Sequence, residues 1–108
     1  MRMWKIPPAL LCRQHLLGEH NEMHKFVGAI EKKKSIDGYI KKGLVEVHNI
    51  QLRHDTLAEE MVRRGYKHYS PMTFHWDYGK VGRVDAKENL KVLTVRCTEC
   101  RKRFLEDI

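Results

Sequence analysis

The residues best suited to chemistry are the first one and a glutamate about twenty positions on. Arg2 follows the initiator methionine. A bulky charged second residue normally blocks removal of Met1, so the mature chain is expected to begin with the α-amine of Met1. An α-amine has a reference pKa of about 7.7–8.0 against about 10.4 for a lysine, so near neutral pH roughly a tenth of it is already unprotonated. Such an amine can attack carbon and form a Schiff base with little help from its surroundings. It lacks an acid/base partner. Within Gln14-His15-Leu16-Leu17-Gly18-Glu19-His20-Asn21-Glu22, a segment of helical periodicity, Glu22 is the candidate.

Two further constellations could hold a metal. Cys97-Thr98-Glu99-Cys100 supplies two ligands where a structural zinc site needs four. Cys12 and some of the seven histidines would have to complete it. The same two cysteines fall on an apolar seam, where a small thiol packs well. In His20-Asn21-Glu22-Met23-His24 two histidines flank a glutamate one helical turn apart. The order differs from HExxH, in which the acid follows the first histidine directly, and no third ligand is evident. No metal and no cofactor is therefore expected in the chemistry.

Helices must position these groups, and the chain reads as about three, joined by long basic and aromatic loops. Pro7-Pro8 closes an extended arm and suits a first helical turn. From about 9 to 33, Leu16, Met23, Val27 and Ile30 recur every three or four residues on one stripe. At 100° per residue His15, Glu19 and Glu22 share a narrow sector with Phe26 beside it, which puts the carboxylates at the edge of the core. Residues 31–53 look irregular, with Gly38 and Gly43 as breakers and Val45–Ile50 as a short extended stretch. Thr56-Leu57-Ala58-Glu59 has capping-box spacing and predicts a second helix over 55–64, stopped by Gly65 after Arg63-Arg64. Residues 66–84 form an aromatic, glycine-rich loop. Asp85 then caps a third helix whose seam is Leu90, Leu93, Cys97, Cys100 and Phe104.

At 108 residues the chain makes one domain with one modest core. Twenty-one Lys and Arg against fourteen Asp and Glu give a net charge of +7, which favours a polyanionic partner, nucleic acid first. Lys32, Lys33, Lys34, Lys41, Lys42, Arg53, Arg63 and Arg64 suffice for such a surface. Neutralising six phosphates would give a log K against log[salt] slope of about −5. No apolar run approaches the roughly 18 residues of a membrane span, and the start is too short for a secretory signal. Three cysteines fit a reducing compartment. A cytoplasmic monomer is expected.

Gln14-His15-Leu16, Glu19, Glu22 and Gly28-Ala29-Ile30 resemble the N-terminal helix of the phage pyrimidine-dimer DNA glycosylases, the endonuclease V family of T-even type. Leu52-Arg53 and Glu60-Met61-Val62-Arg63-Arg64-Gly65-Tyr66 resemble that family's second helix. The likeness covers about residues 1–66. It implies an all-α fold wrapped around kinked DNA, with base excision followed by strand cleavage at the abasic site. The partner would be double-stranded DNA with a damaged base, and the setting a bacterial host cell, with phage origin one reading.

The resemblance further implies roles for single residues. The Met1 amine would attack C1′, and Glu22 would stabilise the sugar cation and assist β-elimination. Arg2 would sit beside the nucleophile, and Gln14, His15, Glu19, Asn21, Lys25, Arg53, Arg63 and Arg64 would serve the DNA-binding face. Departures exist. Better-known members lose the initiator methionine and expose a threonine, whereas Met1 itself holds that place here. Asn21 replaces an arginine. Trp76-Asp77-Tyr78-Gly79-Lys80 is similar in composition to the family's aromatic run but precedes the last helix. Two alternatives stand beside this reading: a non-catalytic DNA-binding module stapled by zinc through Cys97 and Cys100, and a metal-dependent hydrolase using His20 and His24.

Overall fold

A computed structural model describes residues 1–66 and 70–107, so Tyr69 of the predicted aromatic loop lies outside the described residues. Among the described residues five helices follow in order: α1 Arg13–Glu31, α2 Asp37–Lys41, α3 Ile50–Arg63, α4 Ala86–Arg96 and α5 Thr98–Asp107. Single 3₁₀ turns cover Pro8–Leu10 and Val47–Asn49. Among the described residues there is no strand. The expected all-α class is the observed one.

The pair α1 and α3 builds the centre. On α1, Leu16, Glu19, His20, Met23, Phe26 and Val27 are buried; on α3, Ile50, Arg53, His54, Leu57, Ala58, Glu60 and Met61 are. Both sets follow the three-and-four spacing of one helical face, and the two faces pack together. Each of the fully buried side chains Leu16, Phe26, Ile50 and Leu57 contributes about 1.5–3 kcal/mol on leaving water. Arg64-Gly65-Tyr66 ends α3 as predicted. Gly65 takes φ +79°, and the Tyr66 and Gly65 N–H groups return to the Met61 and Val62 carbonyls, a Schellman closure.

Several boundaries differ from the sequence expectation. The first helix starts at Arg13 rather than near Ala9, because Leu10, Leu11 and Cys12 are all buried and the core draws them through an extended Leu11. Gly38 breaks nothing; it lies inside α2, which Ile36, Tyr39 and Ile40 pin to the core. The second long helix begins at Ile50, since Ile50, Arg53 and His54 continue the buried stripe one turn upstream. Thr56 is then internal, and its Oγ1 donates to the Leu52 carbonyl. Val45–Ile50 contains a 3₁₀ turn rather than an extended stretch.

Asp85 caps α4 as expected, its Oδ1 accepting the Glu88 N–H. The single helix predicted beyond it is two, broken at an extended Cys97 (φ −118°, ψ 113°). Cys97 acts as a sulfur cap on the next helix, since its Sγ faces the Cys100 N–H at 3.5 Å.

The loop over 70–85 is fastened by specific bonds. The Gln51 side chain donates to the Met72 carbonyl and accepts the Phe74 N–H. Val81 and Val84 bond to His48 and Glu46. Gly82 (φ +88°) passes so close to the chain that a Cβ would stand 2.2 Å from the Val45 carbonyl oxygen, so only glycine fits there.

Candidate functional site

The N-terminal arm is extended yet held firmly. Met3, Trp4 and Ile6 are buried in the core. The Met3 N–H donates to the Leu44 carbonyl, Asn89 of α4 donates to the Trp4 carbonyl, and Arg53 of α3 donates to the Ile6 carbonyl. Lys5 between them adopts φ +59°, and its Nζ reaches Glu46 at 2.9 Å. A non-glycine residue in that region costs about 1 kcal/mol, which the surrounding contacts offset.

This clamp returns the start of the chain to α1. The Met1 amine lies 3.8 Å from Glu22 Oε1, and the Arg2 N–H donates to the same oxygen at 2.8 Å. Both Met1 and Glu22 are half-buried. Glu22 Oε2 accepts no hydrogen bond from the described residues, and the side chain is 26% exposed.

Around this pair the charge is positive. The Arg2 guanidinium lies over the Trp4 ring at 4.5 Å, and that of Arg96, from the last turn of α4, approaches the same ring at 6.0 Å. Burial, then Arg96, holds Arg2 below its ordinary pKa while Glu22 opposes them. Arg2 Nη1 is buried with no partner among the described residues. His15 packs edge-on against Trp4. Burial and then Arg96 push its pKa down, favouring the neutral ring.

The residues expected on the DNA face separate into two sets. Gln14, Asn21 and Lys25 are exposed. Gln14 lines a cleft with Arg13, Leu17 and Arg103. Glu19 and Arg53, by contrast, are buried against each other in a two-pronged pair of 2.5 and 2.9 Å. Burial pushes the Glu19 carboxyl up against the pull of Arg53 and of the Trp4 and Lys5 N–H groups. Arg64 is spent inside the molecule on Glu60 and on the Pro8 and Leu11 carbonyls; Arg63 also pairs with Glu60 but remains exposed. Glu60 lies within one turn of both arginines, but sequence periodicity does not reveal the Glu19 partner of Arg53 or the Pro8 carbonyl that Arg64 meets, 34 and 56 positions away.

Two clusters could hold a metal. Cys12, His15, Cys97 and Cys100 converge, with all four ligand atoms within 4.8 Å of one another. His20, His24 and His54 form the other. Here His54 Nδ1 meets Asp55, while His24 and His54 both present Nε2 to the Ser70 carbonyl. These contacts tie the start of the 70–85 loop to α1 and α3. His20 Nε2 is left buried with no partner among the described residues.

Sequence reading passed over Trp4, Arg96 and the pairing of Cys12 with His15. The last left a signal, because Cys12-Arg13-Gln14-His15 repeats the two-residue spacing of Cys97 and Cys100. Comparison with known proteins adds one match: the family model for pyrimidine dimer DNA glycosylases covers residues 1–74. No curated protein and no solved structure matches the chain.

Proposed function

The chain belongs to the pyrimidine dimer DNA glycosylase family, and on that premise we propose that Met1 and Glu22 carry out base excision coupled to cleavage at the abasic site. The observation that supports this most directly is the 3.8 Å separation of the Met1 amine from Glu22 Oε1. The unprotonated amine attacks C1′ of the damaged pyrimidine nucleotide. The C1′–N glycosidic bond breaks, and its electron pair leaves with the base. The nitrogen loses a proton, and its lone pair then expels O4′. The C1′–O4′ bond breaks as O4′ takes up a proton, which opens the sugar and leaves a protonated imine at C1′. Glu22 stabilises the positive charge that develops at C1′. It then removes a C2′ proton, the C3′–O bond breaks, and the 3′ phosphate departs. Water hydrolyses the imine and frees Met1.

Local charge fits a nucleic acid. Met1, Arg2 and Arg96 bring three positive groups to a single carboxylate, so a backbone phosphate would find two uncompensated guanidinium groups beside Trp4. Gln14, Asn21 and Lys25 extend that face along α1. Exposing a damaged base costs a few kcal/mol of lost stacking, least where pairing is already weak, and phosphate contacts over a bent duplex offset it.

Borohydride reduction during turnover on a duplex carrying a cyclobutane dimer tests the mechanism. A stable protein–DNA adduct on the peptide that begins with Met1 is expected. Adding one residue ahead of Met1, or acetylating its amine, should abolish the adduct and leave binding intact. An adduct found on a lysine side chain, or nicking that survives acetylation, would refute the assignment.

A further inference from the structure

We infer that Cys12, His15, Cys97 and Cys100 form a tetrahedral zinc site that fastens α5 to the start of α1, separate from the amine chemistry. Zinc bound through thiolate and imidazole, at about 2.3 and 2.0–2.1 Å, requires sulfur–sulfur edges of about 3.8 Å and sulfur–nitrogen edges of about 3.6 Å. The structure gives 3.9 Å for Cys12 Sγ to Cys97 Sγ. Cys12 Sγ and Cys100 Sγ lie 3.2 and 3.6 Å from His15 Nδ1. Three of the six edges thus already match a zinc tetrahedron to within about 0.4 Å, the other three are within 4.8 Å, and no disulfide joins the cysteines.

The local backbone agrees. Cys12 precedes the first turn of α1 and His15 follows three residues later; Cys97 and Cys100 stand in the same relation to α5. Each pair thus presents two ligands from one helix start. The Cys12 N–H points at Cys100 Sγ at 3.2 Å, and the Cys100 N–H points at Cys97 Sγ. A neutral thiol is a poor acceptor, whereas a metal-bound thiolate is a good one, so these donors suit the loaded site. Binding Zn²⁺ would release the three thiol protons to solvent.

Four protein ligands close the coordination sphere, the mark of a structural rather than a catalytic zinc. Its consequence lies in position. His15 packs edge-on against Trp4, and Arg96 immediately precedes Cys97. The metal would hold both beside the Met1 end of the molecule. This explains how the segment beyond residue 74, outside the family match, serves the site.

Elemental analysis of protein purified from zinc-supplemented culture tests the inference. About one zinc per chain is expected. Replacement by Co²⁺ should yield the visible bands of a tetrahedral ion together with a thiolate charge-transfer band in the near ultraviolet. Cys100→Ser and Cys12→Ser should each lose most of the metal. His15→Cys should keep it and deepen the charge-transfer band, which separates ligand loss from simple misfolding. His24→Asn should retain full zinc. Zinc-free folded protein, a six-coordinate cobalt spectrum, or zinc lost from His24→Asn but kept by Cys100→Ser would overturn the assignment. A borohydride adduct at Met1 bears on the amine mechanism alone, so either proposal can fail without the other.

Discussion

Glu19 and Glu22 stand less than one turn apart on α1 and carry the same carboxylate, but their surroundings differ sharply. Glu19 is 1% exposed and locked to Arg53, which in turn donates to the Ile6 carbonyl. Glu22 is about a quarter exposed and meets the chain start through one oxygen, the other accepting no hydrogen bond from the described residues. The inner carboxylate holds the arginine that fastens the arm; the outer one meets the amine and the first N–H of that arm. Three positions along a helix, about 60° of rotation from perfect alignment, thus separate a buried carboxylate from one that borders solvent.

Neutralising each carboxylate alone should separate the two. Glu22→Gln is expected to lower strand cleavage by about 10³-fold, within the range of lost acid–base catalysis, equal to about 4 kcal/mol. Its melting temperature and DNA affinity should stay close to the parent's, since a partly exposed ion pair at 3.8 Å adds little stability. Nicking assays beside thermal melts check both parts. Unchanged cleavage would return Glu22 to the status of a surface residue.

Glu19→Gln should do the reverse. Leaving Arg53 buried beside an uncharged partner is expected to cost about 3 kcal/mol of stability, read by urea unfolding. Cleavage per folded molecule should fall far less than in Glu22→Gln. The pair Glu19→Leu with Arg53→Met should regain part of the loss, though the Ile6 carbonyl would still lack its donor. If Glu19→Gln folds normally but cannot nick DNA, the division of labour proposed for the two acids fails.

Acid sharpens the comparison from another side. His20, on the same inner face as Glu19, has its pKa lowered to about 4 by burial first and then by the charges of His54 and His24. The unfolded chain, titrating near 6.5, binds more protons than the folded one between these values. Stability should therefore fall as pH drops from about 6.5 to about 4, by about 2 kcal/mol from this residue. The groups facing His20 are His24, His54 and, through His54, Asp55. His20→Leu should flatten the pH dependence of urea unfolding relative to the parent in this window. An equal slope in both proteins would mean that His20 is not held neutral.

Much of this plan was legible in the sequence. The stripe through Leu16, Met23 and Val27 located α1, Arg64-Gly65 located the end of α3, and Asp85 located the start of α4, because each is a local rule about periodicity or capping. Glu22 and its partner came from resemblance rather than periodicity, and only the fold brings Met1 to it. What the sequence hid is nonlocal. The Arg53–Glu19 and Arg64–Pro8 contacts join segments 34 and 56 residues apart. The cysteine–histidine tetrad closes over 88 positions, between Cys12 and Cys100. No window of a helical wheel contains those pairs, and a buried arginine reads in sequence like any basic surface residue.

The last comparison divides the cations in the same way, with the smallest expected effect. Lys25 is exposed on α1 beyond Glu22, whereas Arg64 is 11% exposed and bonded to Leu11 and Glu60. A cation that neutralises a phosphate contributes about one unit to the salt dependence of binding, while one consumed internally contributes none. Lys25→Ala should therefore make the slope of log K against log[salt] shallower by about 1, weaken binding by about 1 kcal/mol and leave the melting temperature alone. Arg64→Gln should leave the slope intact and cost about 1–2 kcal/mol of folding stability, because the Leu11 and Pro8 carbonyls lose their donor. Paired filter-binding titrations and melts read both quantities on each variant. A shallower slope in Arg64→Gln with unaltered melting would place that guanidinium on DNA after all, and the inner set of charges would shrink to Arg53 and its carboxylate.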